Sequence, residues 1–292
     1  MKPLYILFLI VGYFSVLLFI SFITGKKADN NTFFKANNSS PWYLVAFGMI
    51  GASLSGVTFI SVPGWVEDQS MSYMQMVLGY VVGYAVIGLI LLPLYYRLNL
   101  TSIYTYLEDR FGRYSYKTGA SFFLLSRTIG AAFRLFLVAN VLQLLVFDEF
   151  GIPFWLTVTI TILLIWGYTF KGGIKTIVWT DTLQTLFMLV AVGVCIYTIS
   201  DEMNISNIFT YVADSDLSKT FFFEDYKAGN YFWKRFFSGA FIAIVMTGLD
   251  QDMMQKNLSC KNLKDAQKNM FWFTIVLVIV NFFFLALGVL LT

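Results

Sequence analysis

The run Phe47-Gly48-Met49-Ile50-Gly51-Ala52-Ser53-Leu54-Ser55-Gly56-Val57-Thr58-Phe59-Ile60-Ser61-Val62-Pro63-Gly64 decides how the rest of the chain is read. Its ends are apolar enough for a bilayer, but its middle is a string of Gly, Ser and Thr. In lipid every backbone polar group must be satisfied inside the protein, so such a stretch has two explanations. One is close helix packing through small residues, for which Gly48, Ala52 and Gly56 have the right spacing. The other is a helix interrupted near the membrane midplane, whose freed carbonyls coordinate a cation and whose hydroxyls hold a solute. Ser55 and Thr58 share a helical face, whereas Ser53 is turned about 200° from Ser55 at about 100° per residue. All three converge more easily if the helix unwinds between them.

Composition supports a lipid setting on either side of this run. Of 292 residues, 58% are hydrophobic and 13% charged, where a soluble domain carries roughly a quarter charged residues. A soluble enzyme is thereby excluded. There is no His, and the two Cys, Cys195 and Cys260, are far apart in sequence. A His-based metal site, a His general base and a disulfide framework drop out, and no nucleophile motif is present, so the chain is not read as an enzyme. Eight runs are long and apolar enough to span a bilayer, at 4–24, 42–64, 73–96, 118–147, 153–170, 181–200, 232–251 and 270–292. The first has one flanking Lys2 and no small-residue cleavage site, so it reads as a retained helix. No soluble domain, repeat or low-complexity tract interrupts the series, and 1–292 reads as a single transmembrane domain. The 201–231 loop has room for a short surface helix.

Basic residues fall in alternate loops, at Lys26, Lys27 and Lys35, then Arg97, Arg110, Arg113 and Lys117, then Lys171 and Lys175, then Lys256, Lys261, Lys264 and Lys268. The intervening loops are acidic, with Glu67 and Asp68, then Asp148 and Glu149, then Asp201, Glu202, Asp214, Asp216, Glu224 and Asp225. Positively charged loops stay on the cytoplasmic side, so the N-terminus is predicted outside. Two further features break the hydrocarbon rule. Arg127 and Arg134 in the fourth span lie within about 20° of one helical stripe, and a charge at mid-bilayer costs about 2.5 to 3.5 kcal/mol even on lenient scales. A structural ion pair would offset that cost; an unpaired Arg134 would instead suit an anionic solute, because guanidinium grips carboxylate with two donors. Finally, Lys171-Gly172-Gly173 leads into the sixth span, with Asp181 placed in its first turn. There Asp181 is either a helix cap or, as a partly buried carboxylate, a hard ligand for Na⁺ or a proton carrier.

Taken together, these residues resemble the sodium/solute symporter family, which includes the sodium/glucose, proline and sialic acid cotransporters. The resemblance rests on the small-residue second span ending Phe59-Ile60-Ser61-Val62-Pro63-Gly64, on the loop Thr101-Ser102-Ile103-Tyr104-Thr105-Tyr106-Leu107-Glu108-Asp109-Arg110-Phe111-Gly112, and on the run from Tyr168 to Gln184. Asp250-Gln251-Asp252 and Gln255-Lys256-Asn257-Leu258-Ser259 are also similar to the family's loop after its sixth core helix. The resemblance implies an all-α membrane protein with a LeuT-like inverted-repeat bundle: one extra N-terminal helix, then core helices, with substrate held between the broken first helices of each repeat. On that mapping the second span is the first core helix and the seventh is the sixth. The chain then stops after the seventh core helix, without the eighth that gives hydroxyls to the family's main sodium site.

The same resemblance implies sodium-coupled symport of a small organic solute at the plasma membrane. Gly51 and Leu54 fall where backbone carbonyls bind the coupling Na⁺, and Asp181 matches an aspartate of an additional sodium site or ion exit path. Ser53, Ser55 and Thr58 occupy hydroxyl positions of the sialic acid branch, and Arg134 aligns with that branch's carboxylate-binding arginine, which makes a carboxylated sugar such as sialic acid a candidate solute. Where that branch has a substrate-contacting glutamine this chain has Val77, with Gln75 close by. The expected partners are the solute, Na⁺ and the lipid bilayer, with no nucleic acid and no protein partner assigned. The alternatives are a solute-sensing membrane module or a non-transporting fragment of a symporter.

Overall fold

The computed structural model describes residues 3–24, 40–100, 102–170 and 173–292. Lys2, the basic loop with Lys26, Lys27 and Lys35, Thr101, and Lys171-Gly172 lie outside the described residues, as does the side chain of Lys175. In chain order the helices are α1 (Pro3–Thr24), α2 (Trp42–Ser53), α3 (Gly56–Gln69), α4 (Tyr73–Val86), α5 (Leu92–Arg97), α6 (Ile103–Phe111), α7 (Arg113–Leu142), α8 (Phe154–Thr169), α9 (Gly173–Glu202), α10 (Ile208–Asp214), α11 (Phe232–Ala243), α12 (Gln251–Leu258) and α13 (Leu263–Leu291). Three π-helical turns interrupt or extend them: Ile87–Leu91 joins α4 to α5, Gln143–Phe147 follows α7, and Ile244–Gly248 follows α11. Among the described residues no strand forms.

Five helical segments are long and apolar enough to cross a membrane, or six if the bent pair Phe232–Gly248 and Gln251–Leu258 is taken as one span. Trp42–Ser53 and Phe154–Thr169 are shorter apolar helices. The predicted second span, 42–64, is two helices. The chain leaves the helix after Ser53, resumes at Gly56 and runs on to Gln69, where Ser70 turns at φ 52°. The predicted sixth span, 181–200, begins earlier, at Gly173. Nothing from Ile174 to Thr180 breaks a helix, so the helix is already under way well before the first acid. Asp181 therefore lies about two turns inside α9 and caps nothing. The short helix expected in the 201–231 loop is α10, capped by Asn207, whose side chain accepts from the Phe209 and Thr210 amides.

The chain forms two compact units. In the first (Met1–Asn37, Leu100–Thr180), α6 packs on α7 and α1 on α8. Long apolar side chains such as Phe8, Phe122, Phe133 and Trp155 stay exposed, as befits surfaces whose solvent is hydrocarbon.

The second unit (Asn38–Asn99, Asp181–Thr292) has α13 at its centre, packed on α2, α3 and α4. Phe273, Phe284, Met270 and Leu285 of α13 are fully buried. Against α4 lies α11 in backbone contact: a Cβ on Gly79 would strike the Phe236 carbonyl, and one on Gly239 the Met76 carbonyl. Small residues at both faces let the two backbones meet, the usual route to stable helix pairs where lipid removes the hydrophobic driving force.

Candidate functional site

The site is built around the gap between α2 and α3. Leu54 (φ −96°, ψ 104°) and Ser55 (φ −97°, ψ 172°) are both extended. The Leu54 amide still donates to the Ile50 carbonyl at 2.7 Å. The Ser55 amide, which in an unbroken helix would donate to Gly51, donates instead to Thr58 Oγ1 at 3.2 Å, within a Ser55/Thr58 capping box that starts α3. Among the described residues, no backbone hydrogen bond reaches the carbonyls of Gly51, Ala52, Ser53 or Leu54. A cleft of ≈ 340 Å³ opens beside them, lined by Gly51, Leu54, Ser55, Gly56, Phe59, Gln184 and Met188. Unpaired carbonyls facing a cleft are what a cation or a hydrogen-bonding solute needs in a medium that offers no water.

The far wall of the cleft is α9, and hydroxyls fasten it to α2. Thr182 Oγ1 donates to the Leu44 carbonyl at 3.2 Å, and Thr185 Oγ1 lies 3.0 Å from the Phe47 carbonyl and 2.7 Å from that of Asp181. The three-residue steps on both helices keep these bonds in register. At Gly51 the two helices are in close contact, since a Cβ there would collide with Thr185 Oγ1. Gly51 is thus a packing residue. Gly56, part of the spacing that suggested a packing face, has open space where its side chain would be.

A second interruption follows α11. After the π turn Ile244–Gly248 the chain bends by 67° into α12. Asp250 caps α12 by accepting from the Met253 amide at 3.1 Å, and Tyr95 donates its hydroxyl to the Gly248 carbonyl at 3.0 Å. Lys256 on α12 is buried, and its Nζ lies 2.7 Å from Asp181 Oδ2. Asn257 beside it accepts from Asn269 Nδ2 of α13 at 2.6 Å. Asp181 is therefore an ion-pair partner of a lysine that sequence reasoning placed in an ordinary cytoplasmic loop. Met253, Lys256 and Asn257 share one helical face, but it is the structure that shows all three buried.

Of the residues predicted for solute and ion, Gly51, Ser53, Leu54, Ser55 and Thr58 come together at the break, and Asp181 stands on the adjoining helix α9. Ser55 and Thr58 spend hydroxyl capacity on the capping box, whereas the Ser53 hydroxyl has no partner among the described residues. Gln75 is committed elsewhere: its amide donates to the Ser72 and Asn230 carbonyls and accepts from the Phe222 amide. Arg134 belongs to the other unit, on α7, where it is exposed and makes no ion pair among the described residues. Arg127 is half-buried, with its guanidinium 5.8 Å from the Phe123 ring.

A model of the sodium:solute symporter family matches residues 33–291. The sodium/sialic acid symporter NanT of Aliivibrio fischeri is 26% identical over 276 residues, which cover 90% of this chain and 52% of NanT. The human sodium/iodide cotransporter is 24% identical over 263 residues, covering 86% of this chain and 39% of that protein. The fold is similar to the substrate-bound outward-open state of a Na⁺-coupled sialic acid symporter, with TM-score 0.83 at 23% identity, over 96% of this chain and 60% of that one. The chain thus spans about half the length of the curated relatives it matches.

Proposed function

Because the chain belongs to the sodium:solute symporter family, we propose that it takes part in sodium-coupled symport of a small organic solute across the plasma membrane. Its family and its apolar helices make it a multi-pass membrane protein; eight crossings with the N-terminus outside remain our assignment from loop charge. The observation that carries the proposal is the break at Leu54 and Ser55, where backbone carbonyls without helix partners line a cleft. In this reading the carbonyls of Gly51 and Leu54 take the coupling Na⁺, and Ser53, Ser55 and Thr58 offer hydroxyls to the solute. Asp181 joins the ion path only when its pair with Lys256 opens, since the ammonium now occupies one of its carboxylate oxygens.

Arg134 is the candidate for a carboxylate on the solute, because guanidinium fits carboxylate with paired donors and nothing among the described residues neutralises it. The relatives named above handle sialic acid and iodide, and a further one is a sodium-coupled monocarboxylate transporter. An anionic solute, with a carboxylated sugar such as sialic acid foremost, is the class that suits these neighbours and a free arginine alike. Coupling follows if Na⁺ binding stabilises the arrangement of the break that also holds solute; each then raises the other's affinity by the same factor.

The test is thermal unfolding of the purified full chain with sialic acid, amino acids and neutral sugars, in Na⁺ and again with K⁺ in its place. A midpoint that rises only when Na⁺ and one solute are both present supports symport. A midpoint indifferent to the cation for every solute overturns it.

A further inference from the structure

Arg235 is nine-tenths buried in the first turn of α11, and every group that holds it is neutral. Its Nε donates to the Gly229 carbonyl at 2.9 Å, its Nη2 donates to Gln69 Oε1, and its guanidinium carbon sits 4.8 Å from the centre of the Trp65 ring. Among the described residues no carboxylate reaches ion-pair distance of it. The position adds to the cost, since a helix N-terminus already carries partial positive charge, and Lys234 next to it donates to the Lys227 and Ala228 carbonyls rather than to an acid. A buried cation without an opposite charge is expensive.

The place matters as much as the charge. Trp65 and Gln69 lie toward the C-terminal end of α3, which continues the first broken helix; Arg235 lies at the start of α11, which leads to the second break. One guanidinium thus bridges the ends of both broken helices. Trp65 and Tyr73, with ring centres 5.3 Å apart, form an aromatic wall beside it.

We propose that Arg235 is an anion-receiving site, in which Gln69 Oε1 holds the position that a carboxylate oxygen or a halide takes when solute arrives. A neutral amide is the weaker acceptor, and an anion displaces it because charge-assisted bonds to guanidinium are roughly twice as strong. The anion class deepens the symport reading and rests on it for its purpose, but its test does not require transport.

Two variants decide it. Arg235→Gln removes the charge and keeps an amide. Gln69→Glu leaves Arg235 in place and supplies the missing carboxylate from within the protein, so the fold is kept. Thermal midpoints are followed against sodium iodide, sodium pyruvate and sodium N-acetylneuraminate, with glucose as neutral control and sodium methanesulfonate holding ionic strength fixed. The wild-type midpoint is expected to rise with at least one of the three anions and not with glucose. Arg235→Gln and Gln69→Glu are each expected to weaken that response at least tenfold in apparent affinity, with Gln69→Glu raising the ligand-free midpoint. A wild type indifferent to all three anions, or a Gln69→Glu protein that keeps the full response, overturns the site. With the series repeated as potassium salts, an anion response that is equal in Na⁺ and K⁺ but lost in both variants supports the site while counting against sodium coupling.

Discussion

Lys256 and Asp181 show how a charge inside a membrane helix becomes tolerable only through its partner. Removing one member of a buried pair strands the other, at a cost of about 3 to 5 kcal/mol. Lys256→Ala is therefore expected to lower stability by that order, and Asp181→Asn in the same protein to restore most of it, as read from denaturant midpoints of the two single and one double variant. Gly51 makes a sharper claim. Its missing side chain is what lets Thr185 sit against α2, so Gly51→Ala is expected to destabilise by about 1 to 3 kcal/mol through overpacking. Thr185→Ala combined with it should relieve the clash and give a non-additive cycle. At this scale the hydroxyls of Ser53, Ser55 and Thr58 were legible because their types are anomalous in a span, whereas Gly51 and Leu54 came from the family resemblance. Arg235 and Lys256 stood beside loops, where a basic residue is ordinary, and only the packing of α3, α9 and α12 around them gives them a role.

At the level of the helix, the break between α2 and α3 was legible for a physical reason: Gly and Ser lower the cost of leaving the helix just where hydroxyls can take over its bonds. Ser55 and Thr58 do so by capping α3. Each cap substituted by alanine is expected to cost about 0.5 to 2 kcal/mol, seen as a lower thermal midpoint without any ligand present. Ser53→Ala, whose hydroxyl has no partner among the described residues, should leave that midpoint within about 0.5 kcal/mol and reduce only the response to solute; equal destabilisation by all three would remove Ser53 from the site. The start of α9 was less legible, because an acidic residue at a hydropathy edge looks like a cap. A helix extends past the apolar run as long as nothing breaks it, and the run from Ile174 to Thr180 contains no breaker.

Across the molecule, the family resemblance rested on three stretches of sequence together, none of which would be enough singly, and the LeuT-like fold was what that resemblance implied. Loop charge gives an orientation but not a site. For the solute, Arg134→Ala is expected to spare expression and not to lower the thermal midpoint, since Arg134 is exposed and makes no ion pair among the described residues. The same change should abolish the response to an anionic solute in the titrations described above, and an intact response would release Arg134 from the site. Reciprocity supplies a further check. If Na⁺ raises solute affinity by some factor, solute must raise Na⁺ affinity by that same factor, and two binding titrations that disagree would mean the two ligands do not share one conformational equilibrium.

The stretch of α9 from Asp181 to Thr185 works as a tie rod. Thr182 and Thr185 clamp it to the carbonyls of α2 just ahead of the first gap, and Asp181 bolts it to α12 just beyond the second. Swinging α12 must therefore either snap an ion pair sheltered from water or pull on α2. Motion that begins at one gap is transmitted to the other along a rod less than two turns long.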